Sequence, residues 1–475
     1  MHLPKSSGTL AEKIDAGRGM RQLCIRSSHH AIGHVDRDPV KLLKASSAGR
    51  VQRLVPLRYG RMLTSPFAFY RGSAIIQAHD LAGTPHTGLV QQICGDCHLM
   101  NFGGFATPER NLIFDINDFD ETHPGPWEWD VKRLVASLSL AARHLDLTTA
   151  AADEAVFTAV KSYQRNMGAY AQMGALSLWY ERITLESLIA ATPDKVAKQT
   201  LIKSVAKAQG RTQENLLPKM GDKIDGRWAI RDTPPALFHI HGNSTLFDKD
   251  DDWTQLGGWQ PLAEHLLKEY AQSLSPSHRH LLDNFNIQDL AFKVVGVGSV
   301  GTRCLALLMT DAQEQPLFLQ IKQAVRSVLA PYVPAGKTAY KHDGQRVVVG
   351  QRLMQASSDL FLGTSTGPSG RHFYFRQLRD MKISAEIEAF DLNLLRHYAS
   401  LCGHVLARAH ARAGGYAPQI SAYLGKGDAF ANALVLYARD YADQVYRDFE
   451  AFRTACRKGR LLAQTESDFG ADISV

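Results

Sequence analysis

The stretch CGDCHLMNFGGFATPERNLIFDINDFDETHPGPWEWD, Cys94 to Asp130, decides how this chain is read. An apolar run, QQIC, ends in Gly95-Asp96, and NLIFDINDFDE alternates like a strand before closing in acids. After the Pro124-Gly125 pair, WEWDVKRLVASLSLAARHL spaces its apolar residues as a helix does. The predicted order is strand, loop, strand, Pro-Gly turn, helix. Transfer of a phosphoryl group from a nucleotide requires a carboxylate that accepts or orients the attacking hydroxyl. It also requires oxygen ligands that hold magnesium against the phosphates. Asp96 and Asn101 have the offset of a base and a metal-binding Asn in one catalytic loop. The following strand delivers Asp118, where a second magnesium-binding carboxylate is needed, with Asp115 and Asp120 competing for that role.

The same residues admit other readings. Cys94-Gly-Asp-Cys97-His98 fits the C-x-x-C-H haem-attachment spacing, and Cys94, Cys97 and His98 are zinc-ligand types. No export signal accompanies the first, and no second ligand pair at zinc spacing accompanies the second. Both cysteines are therefore expected to be packing residues.

Downstream, VVGVGSVGTRCLALL places Gly296, Gly298 and Gly301 as G-x-G-x-x-G, with Ser299 between them. A dinucleotide site requires a helix after the third glycine and an acid at the end of the next strand. Thr302 to Thr310 is too short for that helix before DAQEQP breaks it, and FLQIKQ carries Lys322 where the acid belongs. Glycine turn, strand, hairpin and strand with a lysine is instead a nucleotide-phosphate arrangement, the lysine pairing the phosphates. A second hairpin is expected where TSTGPSG separates LFLG from RHFYFRQL.

GDCHLMNF followed by INDFDETHPGPWEWDVKRL resembles the catalytic loop, metal-binding Asp and following helix of aminoglycoside phosphotransferases and choline kinases, within the protein-kinase-like superfamily. The wider chain, from RYGRM through FYRGSA to YADQVYRDFEAF, resembles an uncharacterised bacterial domain-of-unknown-function family of that superfamily. The resemblance implies Asp96 as catalytic base, Asn101 and Asp118 as magnesium ligands, and Asp130 as an acid bracing the loop, with His98 and Arg133 in support. Its cofactors would be ATP, or another nucleotide, and Mg2+. The acceptor, a small molecule or a protein hydroxyl, is not readable.

The order of the motifs is shifted, because the catalytic loop precedes the glycine turn. Starting at Asp289 and passing from the C-terminus to the N-terminus restores it, which predicts an α+β, two-lobed, circularly permuted kinase-like fold. Its parts are an arm over 1–45, a helical lobe over 46–285, a small antiparallel-sheet nucleotide-binding lobe over 286–385, and completing helices over 386–475. Residues 94–130 and 296–322 must then meet across one cleft. A kinase lysine pairs with a helix glutamate, yet no Glu occurs between Lys322 and Glu386. Asp343, Asp359 or Glu386 would have to substitute.

Composition bounds the rest. Hydrophobic residues at 45% and charged residues at 21% describe an ordinary folding chain. The formal charge of +7 is scattered, so it selects neither nucleic acid nor any other polyanion as a partner. No apolar stretch is long enough to span a bilayer and no signal peptide is visible, so a cytoplasmic chain with no membrane partner is expected. Six cysteines at irregular spacing form no disulfide framework. Residues 1–45 read as a loosely held arm, and 150–285 as mainly helical. Arg58, Arg61 and Arg71 are candidates to bind phosphate or pair with core acids, and His239 and His241 are read as structural.

Overall fold

The computed structural model describes residues 8–192, 195–240, 246–247, 251–333, 340–378 and 381–473. A capping box between Thr9 and Glu12 starts α1 (Leu10–Leu23), and Asp38 caps α2 (Pro39–Ser47). Three short helices follow, α3 (Val55–Met62), α4 (Pro66–Gly72) and α5 (Ala74–Leu81). Then come β1 (Val90–Ile93), β2 (Phe102–Ala106), β3 (Leu112–Ile116) and β4 (His123–Pro126), which runs into α6 (Trp127–His144) and α7 (Thr149–Tyr170). The middle of the chain adds β5 (Leu237–Phe238) and α8 (Trp259–Ser273). Next are β6 (Asn286–Lys293), β7 (Cys304–Thr310), β8 (Pro316–Ala324), α9 (Asp343–Met354), β9 (Gly363–Thr366), β10 (His372–Gln377) and β11 (Ile383–Ser384). The described chain ends in α10 (Leu392–Gly414), α11 (Ala417–Leu424), α12 (Ala429–Arg457) and a short helix over Glu466–Ile473.

The architecture is mixed α+β with small antiparallel sheets and no barrel. The largest sheet has six strands in the order β9-β10-β8-β7-β6-β5, antiparallel throughout. Both predicted hairpins are present: β7 and β8 pair from Thr310 opposite Pro316 to Cys304 opposite Lys322, and β9 pairs with β10, although β9 is Gly363–Thr366 rather than LFLG, so Thr364 to Thr366 of the expected turn belong to the ladder. Small sheets β1-β4 and β11-β2-β3 frame the loop-bearing segment, β11 joining the second from far downstream.

Two main apolar cores divide the molecule. One gathers α2 to α7, β2, β3 and α10 to α12, with Trp127, Tyr163, Leu406, Tyr437 and Phe452 fully buried. α10 and α7 approach closely at Gly403, where a Cβ would lie 2.2 Å from Ala159 O. The paired glycines at the end of α10 stop it as the sequence predicts, Gly414 closing the helix and Gly415 taking a left-handed φ of 67°. The second core lies on the large sheet, where Tyr270 of α8 stacks on Phe375 of β10 at 4.0 Å between ring centroids.

Several expectations are corrected. The 1–45 arm is not loosely held over its described residues. Arg21 and Arg26 tie α1 and the turn after it to the carbonyls of Ala422, Tyr423 and Leu424, and buried Arg37 binds both Asp80 and Asp448. The anchors are guanidinium groups rather than an apolar stripe, so periodicity does not reveal them. The division at 285 is also displaced, since β5, Trp253 and α8 pack into the sheet core, as do Val51, Leu54 and Leu57. Pro124-Gly125 lies within strand β4, opposite Gln92 and Gln91, rather than in a turn. A two-stranded ribbon is all edge and tolerates Pro there. Among the described residues, no helix is long and apolar enough to cross a membrane.

Candidate active site

The loop between β1 and β2 carries Asp96 at the mouth of a cleft between the helical core and the large sheet. Its shape is fixed from below by Asp130, in the first turn of α6. One carboxylate oxygen accepts from Cys94 N at 2.7 Å and His410 Nε2 at 3.1 Å, the other from Gly95 N at 2.9 Å. Asp130 thus braces the loop. Gly95 is required because its φ is 85° and a Cβ would meet Glu121 O at 2.2 Å. One turn further along α6, Arg133 Nε donates to Asp96 Oδ1 at 2.7 Å, and the guanidinium also reaches Gln77 and Tyr70 O. Asn101 Nδ2 donates to Asp96 O at 2.7 Å, closing the loop on itself. His98 stands with Nε2 3.8 Å from Asp96 Oδ2; burial, then Arg133 and Arg71, push it well below the usual histidine range.

After β3 the chain turns through Asn117 and Asp118 to Asp120. Asp120 N donates to Asp118 Oδ1 at 3.1 Å, setting two carboxylates side by side. Asp120 is the meeting point of the two halves of the molecule: it accepts from Lys322 Nζ at 2.5 Å, Tyr374 Oη at 2.6 Å and Ser299 Oγ at 3.3 Å. Lys322 and Tyr374 are directly paired across β8 and β10, so one sheet face aims both groups at the same carboxylate. Burial alone would raise the Asp120 carboxyl; Lys322 and Tyr374 outweigh it and bring it down to about 2. Asp118 is held above the usual carboxylate range, first by burial and then by the neighbouring Asp120 charge. Burial opposes the charge on Lys322, but Asp118 and Asp120 keep it well above an ordinary lysine.

The cleft beside Lys322 has a volume of about 520 Å³ and is lined by Asn101, Asp118, Ser299, Lys322 and Arg376. Gly296 adopts φ 60° and Gly301 φ 88° in the turn above it, and Gly298 comes within Cβ-contact range of Arg71 O. Gly296 and Ser299 line the cleft. Asn101 and Asp118 offer the oxygen donors magnesium takes, and the Lys322 ammonium under a glycine turn is the donor set phosphates take.

The acids are not equivalent. Asp115, on β3, is fully buried and receives Arg408 Nη2 at 2.7 and 2.9 Å and Ala356 N at 2.8 Å. It points away from the cleft and is removed from the metal-ligand candidates. None of the substitutes expected for the lysine's acid is used: Asp343 contacts Arg346 and His372, Asp359 accepts from Phe361 N and Gln377 N, and Glu386 lies 3.9 Å from Lys207. Asp120 serves instead. Cys94, Cys97 and Asp130 cluster within 4.8 Å, all buried, but the backbone of the loop and His410 already engage Asp130. Burial raises both thiols, to about 11 for Cys94 and well above the ordinary value for Cys97, as expected of packing residues. His239 is held by Asp232 and Asp289, at 2.7 and 2.8 Å, and its pairing with Asp289 raises it to about 9; His241 lies outside the described residues.

Some site residues carry no sequence signal. Arg346, inside α9, donates to Thr122 O at 2.5 Å, Asp120 O at 2.9 Å and Val325 O at 2.7 Å, so it fastens the acid segment to the strand end that bears Lys322. Arg376 donates to Asn117 O at 3.2 Å and Tyr374 to Asp120. A helix arginine whose other contact is Asp343, one turn back, shows no local sign that it also binds carbonyls of distant loops. Of the arginines singled out early, Arg61 pairs with Glu466 and donates to Gly296 O, both at 2.5 Å, bracing the glycine turn. Arg58 and Arg71 line the cleft beside Asp96.

Comparison with known proteins adds one relationship. No curated protein and no solved structure matches the chain. A family model described as an uncharacterized protein conserved in bacteria, DUF2252, matches residues 50–455, a span that holds the loop, the acid segment, the glycine turn and Lys322. The chain belongs to the DUF2252 family of uncharacterized proteins conserved in bacteria.

Proposed function

We propose that this chain is an ATP- and Mg2+-dependent phosphotransferase of kinase-like, circularly permuted type, acting in the cytoplasm on a small-molecule or protein hydroxyl. The observation that carries this reading is the 2.5 Å contact between Lys322 and Asp120, which closes the glycine-turn lysine onto the acid segment beside Asp96 and Asn101. Sheet, glycine turn, lysine strand, helix and hairpin follow one another from β6 to β10, an order that supports the kinase-like reading. In this reading Asp96 orients the acceptor hydroxyl and takes its proton. Lys322 pairs the phosphates under the turn carrying Gly296, Gly298, Ser299 and Gly301, while Asp120 holds Lys322 in place of a helix glutamate. Asn101 and Asp118 would hold magnesium, which neutralises phosphate charge when bound.

A second reading, a nucleotide-binding pseudokinase without turnover, is favoured by one observation: Asp96 is already engaged by Arg133 at 2.7 Å. Nucleotide binding with and without magnesium, measured on the unaltered chain and on Lys322→Ala and Asp118→Ala, tests the shared part. Loss of affinity in the first and of magnesium dependence in the second is expected, and unchanged binding in both refutes both readings. ATP turnover with Asp96→Ala as control then separates the two.

A further inference from the structure

A groove of about 760 Å³ opens among α1, α7 and α11, and it shares no lining residue with the cleft that holds Asp96 and Lys322. α11 packs against both of the other helices, and small residues line the groove there, Gly168 of α7 and Ser421 and Ala422 of α11. Five cations also line it: Arg18 and Arg21 three positions apart on α1, Lys161 and Arg165 four apart on α7, and Lys426 just after α11. Those spacings put each pair on one helix face. The five come from three distant stretches of sequence, so the charge reads as scattered along the chain although it converges in space.

Among the described residues no acid lines the groove. Two of the cations have acid partners beside it, Arg18 with Asp15 at 3.1 Å and Lys161 with Asp428 at 2.8 Å. Arg21 donates to carbonyls alone, Tyr423 O at 2.9 Å and Ala422 O. The Arg165 guanidinium and the Lys426 ammonium have no ion pair or hydrogen bond among the described residues. Lys161 Nζ donates to Lys426 O at 3.3 Å, which joins the α7 cations to the turn after α11. Like charges at these spacings repel, so three cations left without an acid around one hollow favour the entry of an anion. Burial, then the Arg26 and Arg18 charges, lower the Arg21 guanidinium. Gln164, 7% exposed, adds a different requirement to the same groove. Its Nε2 donates to Gly425 O and, at 3.1 Å, to Gly427 O, which fixes the amide, and its Oε1 is buried without a partner. Such an acceptor calls for a hydroxyl or N–H donor.

Independently of the phosphotransferase reading, we propose that this groove binds a small organic molecule carrying two or more phosphate groups and a hydroxyl. The phosphates meet Arg165, Lys426 and the arginines of α1, since a guanidinium takes two phosphate oxygens at once. The hydroxyl donates to Gln164 Oε1. The volume lies within the ~300–1,000 Å³ of small-molecule sites. The cations surround one hollow from three elements, whereas a nucleic-acid backbone is met by a stripe of them.

Isothermal titration calorimetry of the full chain with fructose 1,6-bisphosphate, at an ionic strength of about 0.15 M, tests this. The expected result is one saturable site, weakened at least tenfold in Arg165→Gln and in Lys426→Gln and retained in Lys322→Ala. Neither substituted side chain at the groove has a protein partner, so both variants are expected to fold. Inorganic pyrophosphate, which has no hydroxyl for Gln164, should bind more weakly, and equal affinities overturn the role given to Gln164. Absent bisphosphate binding, or binding unmoved by both groove substitutions, overturns the proposal. Binding that is lost in Lys322→Ala but kept in the two groove variants places the bisphosphate in the cleft, which overturns the groove site and leaves the phosphotransferase reading standing. Binding of a single-stranded RNA oligonucleotide, weakened in the groove variants, with none of the bisphosphate makes the groove a polymer surface and overturns the proposal as well.

Discussion

Lys322 Nζ and Asp120 Oδ2 stand 2.5 Å apart although 202 residues separate them in the chain. The lysine side chain is 3% exposed and the aspartate 29%, so removing one partner strands a buried charge. Losses of ~3–5 kcal/mol are typical of such broken pairs. Lys322→Ala should therefore lower the stability of the chain by about 3 kcal/mol in urea unfolding and weaken Mg-ATP binding at least tenfold. Asp120→Asn should lower stability with a smaller effect on nucleotide affinity, because Lys322 remains. Equal losses of affinity in both variants would make Asp120 a phosphate-site or metal residue rather than the holder of the lysine.

Asp115 and Asp118 lie three positions apart but have opposite environments. Arg408 occupies Asp115 at 2.7 Å, whereas Asp118 lines the cleft and, among the described residues, its carboxylate receives a backbone N–H from Asp120 alone. Asp118→Ala should leave the unfolding midpoint nearly unchanged and abolish the magnesium dependence of nucleotide binding. Asp115→Asn should do the reverse, removing about 3 kcal/mol of stability because Arg408 is left unpaired in the core. The two unfolding curves and a magnesium titration of each variant decide this.

The contrast between these acids also shows how far sequence reading reaches. Spacing within one loop, Asp96 to Asn101, and order along one strand pair, Gly296 to Lys322, are local quantities, so both were legible. Which acid turns to the cleft was not, because Asp118 and Asp120 lie beyond the end of β3, where strand alternation no longer assigns faces. Asp115 lies within the strand, but its partner Arg408 is on α10, nearly three hundred residues away. Arg346 and Arg37 escaped for the same reason: each fastens segments remote in sequence through side-chain contacts that leave no periodicity. The helical pattern of α8 was visible, but not the sheet it packs on, since an apolar face does not specify its partner.

Asp96 has both the position of a base and a strong competitor in Arg133. If the chain turns over ATP, Asp96→Asn should reduce the rate by a factor of ~10² to 10⁴, the usual contribution of a positioned base, while nucleotide affinity holds. Arg133→Gln frees the carboxylate but also unpins Gln77 and Tyr70, so it should lower stability as well as alter turnover. Turnover kinetics and nucleotide titrations on both variants are the measurement. A fully active Asp96→Asn chain would remove Asp96 as the base.

Glu128 provides a pH test independent of any ligand. Its side chain is fully buried on α6, accepts from Thr87 N and Thr87 Oγ1, both at 2.7 Å, and has its second oxygen unpartnered. Burial raises the carboxyl to about 7 against the pull of Thr87 and of Lys132, one turn on. Because the folded value lies above the unfolded 4.5, the folded chain binds more protons between pH 4.5 and 7. Stability contributed by protonated Glu128 is thus complete below pH 4.5 and is lost as pH rises toward 7. Burial lowers Lys132 to about 7 from 10.5, so above pH 7 the folded lysine has lost its proton while the unfolded one keeps it, which works the other way and raises stability toward pH 10.5. Melting temperatures of Glu128→Gln and of the unaltered chain, measured from pH 4.5 to 7, should converge on a flatter profile for the variant. Parallel profiles would mean that Glu128 titrates alike in the folded and unfolded chains.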